Sequence, residues 1–144
     1  MKKRSCRSSC FLHFDVAPFD GDGANDVITL HADAPFIAVR RGDGVGGLAP
    51  EVAAGIDEPP GEQASIVAIS GPTTQDLLVS FPGASALRVL VGEPDATLSD
   101  VLGVPTVGPA TAALAAELDD DGLPELIAVE DDRVEVFRSQ RPLQ

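Results

Sequence analysis

The chain has 144 residues, about one domain's worth, and is 44% hydrophobic and 23% charged, the composition of a globular protein with a core of small aliphatics. Its 23 acidic and 10 basic side chains give a net charge of −13, which argues against a phosphate-backbone partner, since nucleic-acid affinity comes mainly from Lys and Arg displacing counterions. No apolar run approaches the roughly 18–20 residues of a membrane helix.

Residues 1–12 read as a basic, disordered tail. Lys2, Lys3, Arg4 and Arg7 lie there, leaving six basic against 23 acidic side chains, a net of −17, for the remainder. The basic start is like the n-region of a signal peptide, but FLHF is too short for the apolar stretch that must follow. The chain therefore holds no complete signal peptide, and either it is not exported by that route or the true start lies upstream. Cys6 and Cys10 staple nothing, and with His13 they make three candidate ligands where a structural zinc site needs four. Free thiols in a loose tail are the simpler reading.

From there the chain repeats itself. Phe19-Asp20-Gly21-Asp22-Gly23-Ala24-Asn25-Asp26-Val27-Ile28 returns 99 residues later as Leu118-Asp119-Asp120-Asp121-Gly122-Leu123-Pro124-Glu125-Leu126-Ile127. A degenerate middle copy runs from Ile69 to Leu78, with Asp76 lying 50 positions after Asp26 and 49 before Glu125. Each copy continues with an aliphatic run, a turn and a second β-rich run, so the pattern predicts short strands rather than helices. The expected strands are 13–19, 26–31, 36–41 and 50–56 in the first unit and 65–69, 76–80, 86–91 and 98–107 in the second. The third supplies 112–118, 125–130 and 133–138, with Val134 and Val136 expected inward and Glu135 outward. Thr111–Leu118 has helical propensity, but the repeat aligns it with the strand Ala64–Ile69, which decides for strand. The units are 13–62, 63–111 (with a degenerate loop) and an incomplete 112–139, followed by a tail, 140–144. The fold class is all-β: propeller-like repeats of ~50 residues, about two and three quarter four-stranded blades of a partial or open propeller.

The two intact loops carry acids at alternate positions, then a glycine and a further acid: Asp20, Asp22, Gly23 and Asp26, and Glu117, Asp119, Asp121, Gly122 and Glu125. Alternate residues of a tight loop converge on one centre, and three or four carboxylates there repel unless a hard cation joins them. Ca²⁺, with about six to eight oxygen ligands, is the natural choice. The carbonyls of Ala24 and Leu123 fall where such loops donate a backbone oxygen. An EF-hand is excluded, because its closing Glu belongs at position 12, which is Thr29 or Ala128 here, inside apolar strands. Pro18 replaces the first acid of loop one, which points to a weaker site there. Ser70, Pro72 and Thr73 stand at ligand positions of the middle loop, which should bind no metal.

These loops, with the turn Arg40-Arg41-Gly42-Asp43-Gly44-Val45-Gly46-Gly47-Leu48-Ala49-Pro50, resemble the FG-GAP/VCBS repeats of integrin-like β-propellers over about residues 13–139. That family's blades carry a D-x-[DN]-x-D-G-x-x-D calcium loop between two strands and a glycine-rich turn at a strand end. The resemblance implies a calcium-binding, extracellular or cell-surface module with a protein or glycan ligand. Neither histidine, His13 nor His31, stands in a catalytic motif, there is no Tyr and no G-x-S-x-G, and Gly42–Gly47 is followed by no Lys. The expected function is thus a non-enzymatic binding, adhesion or scaffolding segment. The alternative is a non-catalytic repeat arm for a secreted lyase, hydrolase or lipase. A closed propeller needs at least about four blades, so open edges here invite further blades from a longer chain or self-association.

Overall fold

A computed structural model describes residues 11–31, 36–56, 60, 64–67, 75–95 and 97–138. Cys6, Cys10, the tail 140–144 and the middle-loop positions Ser70, Pro72 and Thr73 lie outside the described residues. The described residues form eleven strands: β1 (Phe11–Ala17), β2 (Asp26–His31), β3 (Phe36–Arg40), β4 (Val52–Gly55), β5 (Ala64–Val67), β6 (Asp76–Phe81), β7 (Ala86–Gly92), β8 (Leu98–Pro105), β9 (Ala112–Ala116), β10 (Glu125–Val129) and β11 (Val134–Phe137). Each end falls within about two residues of the expectation, because aliphatic and β-branched runs broken by Asp, Gly and Pro mark strands locally. The helix-prone Thr111–Leu118 is strand over Ala112–Ala116, where pairing with β10 along its whole length outweighs local propensity.

The strands make three antiparallel up-and-down sheets, none closed on itself: sheet I (β1-β2-β3-β4), sheet II (β5-β6-β7-β8) and sheet III (β9-β10-β11). They stack face to face. Ile28, Leu30, Ile37 and Val39 of sheet I form one core with Leu77, Val79, Phe81 and Leu90 of sheet II, and Phe19 from the loop before β2 fills it. The opposite face of sheet II places Leu78, Leu87 and Val89 against Ala113, Leu126 and Ala128 of sheet III in a second core. Being covered on both faces explains why all six residues of β6 are buried, and why Leu77-Leu78-Val79 is a continuous apolar run. Removal from water of each such Leu or Ile is worth about 1.5–3 kcal/mol, and nearly all of that burial lies between sheets.

Successive side chains on a strand point to opposite faces, so each sheet has a front face towards the next sheet and a back face towards the preceding one. Ile28 and Leu78, both two residues after the acid that opens their strand, face front; Leu77 and Leu126, one residue after it, face back. On sheet III the front face carries Leu114, Ile127 and Val136, which pair side by side. Val134 and Val136 are therefore outward, at 61% and 50% exposure, not inward as their alternation suggested. Glu135 takes the face turned to sheet II, where its carboxylate accepts the Val107 N–H at 3.0 Å. Alternation reveals two faces, while only the neighbouring sheet decides which is covered.

Candidate metal centre

Both intact loops join two paired strands, β1 to β2 and β9 to β10, and close on the first residue of the second strand. That residue sits on the front face beneath its loop. Its carboxylate is buried there, at 0% exposure for Asp26 and 1% for Glu125, and accepts the loop's inward N–H groups. Phe19 N–H donates to Asp26 Oδ2 and Leu118 N–H donates to Glu125 Oε2, each at 2.8 Å. Ala24 N–H and Leu123 N–H likewise donate to the Oδ1 atoms of Asp22 and Asp121, both at 2.8 Å. The two loops are one design. Gly21 and Gly23 of the first, at φ 80° and 89°, are matched by Asp120 and Gly122 of the third, at 61° and 82°. Asp is among the few non-glycine residues that tolerate that left-handed conformation.

They differ in how their negative charge is met. In the first loop Asp26 is fully engaged: Oδ2 also accepts Asp20 N–H at 3.2 Å and Oδ1 accepts Gly42 N–H at 2.9 Å. Arg41 then closes the loop from the side. Its Nε lies 2.6 Å from Asp20 Oδ2, and its Nη2 lies 3.9 Å from Asp22. The hydrogen bond and charge of Asp20 push the guanidinium pKa up. Arg41 is held by the glycine turn that follows it. Ala49 N–H donates to the Arg41 carbonyl at 2.8 Å, and a Cβ at Gly42 would overlap the Asn25 carbonyl oxygen. Asp43 organises this turn by accepting the N–H groups of Val45 and Gly47 at 2.9 and 2.8 Å, which holds its carboxyl below the usual carboxylate range.

The third loop has no such guanidinium. Glu117, Asp119 and Glu125 each place a carboxylate oxygen within 4.8 Å of the others, and they are the one such group among the described residues. Among those residues no basic side chain is paired with any of the three. By register Arg138 lies opposite Glu125 as Arg41 lies opposite Asp26, yet it is exposed and makes no bond to the loop. Glu125 Oε1 is buried without a hydrogen-bond partner. An ionised carboxylate oxygen in that position is costly unless something positive meets it, and three converging carboxylates supply hard oxygen ligands.

Of the residues singled out in the sequence, the structure thus brings Glu117, Asp119 and Glu125 together. Asp121 lies outside that group and shapes the loop by accepting from Leu123, while its own N–H donates to Glu117 at 3.1 Å. Asp20, Asp22 and Asp26 are held by Arg41 and by backbone N–H groups, and Ala24 is bound into the loop through its N–H. Sequence reading missed Arg41, which it placed in the glycine turn. The signal was there in principle: a basic residue one step past β3 comes opposite the acid that opens β2 once those strands are paired. His31 is a packed side chain, 3% exposed, with Nε2 3.1 Å from Thr29 Oγ1 and its ring 4.4 Å from Phe36. Compared with protein-family models, with curated proteins and with solved structures, the chain matches none of them.

Proposed function

We propose that this chain is a calcium-stabilised, propeller-like segment serving as a non-enzymatic binding or scaffolding module, with its calcium site in the third loop. The observation that carries the reading is Glu125, a buried carboxylate with one unpartnered oxygen, grouped with Glu117 and Asp119. Ca²⁺ fits that donor set better than zinc, because every side chain offered is a carboxylate. The Leu123 carbonyl and solvent would complete its shell. In the first loop the Arg41 guanidinium takes the cation's part, so one calcium per chain is expected. Three meander sheets stacked front to back support the propeller-like arrangement, as does the resemblance to FG-GAP/VCBS repeats. Calcium at extracellular concentrations would keep such a site loaded and the module rigid.

The test is a calorimetric calcium titration of the wild type and of Asp119→Asn. One site is expected, weakened about tenfold or more by the substitution, since affinity follows the count of charged ligands. A wild type that takes up no calcium at millimolar concentration would show these acids to be turn formers only.

A further inference from the structure

Each outer face of the stack carries exposed apolar side chains, and the back of sheet I also holds the packed His31 and the Arg40–Glu51 ion pair. On the front of sheet III, Leu114, Val134 and Val136 are 42%, 61% and 50% exposed, and Leu118 beside them is 57% exposed. On the back of sheet I, Phe14 and Val16 are 69% and 49% exposed. Neither face is unlike the rest of the molecule. The front of sheet III is the counterpart of the fronts of sheets I and II, both of which are covered by the back of a following sheet. Leu118 stands where Phe19 stands in the first loop, and Phe19 is wholly buried against sheet II, its carbonyl accepting Gln75 N–H at 3.2 Å. Among the described residues the same front-to-back joint is thus made twice, which leaves one front and one back without a partner sheet.

We propose that a second copy of this chain stacks head to tail on the first, the front of sheet III of one copy covering the back of sheet I of the other. The occupant is argued from continuity: the joint would be the third in a series whose first two are internal. A joint between unlike faces gives a ring if the rotation closes and an open stack otherwise. Two copies of three sheets bring six, inside the range of about four to eight blades of closed propellers. Charge does not drive it. At −13 per copy the chains repel, so association strengthens as salt screens them, the reverse of a charge-driven complex. The inference rests on the sheet faces and stands apart from the calcium reading.

The experiment is the mass in solution by light scattering, with and without chelator, at about 100 µM chain, where a Kd near 1 µM leaves little monomer. The wild type is expected at twice 14.9 kDa or more. Phe14→Glu and Val136→Glu each spoil one face, at positions exposed in the single chain, and each alone should be monomeric with an unchanged circular dichroism spectrum. Mixed in equal amounts they should regain a two-chain species, because one keeps a free front and the other a free back. Val45→Glu, off both faces at 89% exposure, should associate as the wild type does. A wild type that stays monomeric under both conditions overturns the proposal and leaves the faces to another polypeptide. So does a single variant that still pairs, which means like faces meet, or a mixture that stays monomeric.

Discussion

Replacing Glu125 by Gln should change stability in opposite directions with and without calcium. The side chain keeps its shape, and its amide carbonyl can still accept the Leu118 N–H now donated to Oε2. What is lost is one negative charge within 4.8 Å of two others, together with an unpartnered buried oxygen. At that distance one carboxylate pair repels by about 3.5 kcal/mol at an effective dielectric of 20 and by about 0.9 kcal/mol in water. Glu117 and Asp119 are exposed, so the watery limit applies, and two pairs make about 2 kcal/mol. At roughly 3 °C per kcal/mol for a chain of this size, Glu125→Gln should melt about 6 °C higher than the wild type in chelator. In calcium the order reverses. At about 100 times Kd the wild type gains about 2.7 kcal/mol, or roughly 8 °C, whereas a hundredfold weaker site gains only about 0.4 kcal/mol, or roughly 1 °C. Differential scanning calorimetry of both proteins in both buffers measures all four values. A substitution that lowers the melting temperature in chelator, or keeps the full rise in calcium, would show that Glu125 is not a cation ligand and that its buried oxygen is satisfied in some other way.

Other parts of the structure predict further results. Arg41→Gln frees Asp20 and Asp22 from their guanidinium, so calcium stoichiometry by calorimetry should rise from one to two per chain; an unchanged count would mean that the first loop excludes calcium for another reason, with Pro18 the next residue to examine. Ser80 is fully buried between sheets II and III with an unpartnered hydroxyl, so Ser80→Ala should stabilise by about 1 kcal/mol, read as a higher urea midpoint, and a lower midpoint would reveal a bond to that hydroxyl. Asp43 has its folded pKa below its ordinary 3.8 because Val45 and Gly47 donate to the carboxylate. Its contribution is therefore complete above that ordinary value and fades as pH falls through the lower folded one. The Val45 and Gly47 amide resonances should shift together with a midpoint under 3.8, and a midpoint at or above 3.8 contradicts those bonds.

Much of the fold is legible in the residues, because the signals that set it are local. Val27-Ile28-Thr29-Leu30 and Leu126-Ile127-Ala128-Val129 announce strands, and Asp-Gly loops before them announce turns, whatever surrounds them. The repeat was legible too, and it marked the difficult segment: its alignment with β5 pointed to strand, and pairing with β10 is what overrides the helical preference of Ala112–Ala116. The same spacing pointed to Glu117, Asp119, Asp121, the Leu123 carbonyl and Glu125 as a set, of which the structure groups the carboxylates of Glu117, Asp119 and Glu125.

What the sequence by itself determined, then, is where the strands run, that three units repeat, and which acids share a loop. Tertiary structure alone decided everything that depends on a partner distant along the chain. It decided that Asp20 and Asp22 meet Arg41, some twenty residues on, while Glu117 and Asp119 meet no cation among the described residues. It decided that Phe19 is core and Leu118 surface, although the two hold the same place in their loops. And it turned Val134 and Val136 outward, because a period of two names two faces but burial belongs to whichever face another sheet covers.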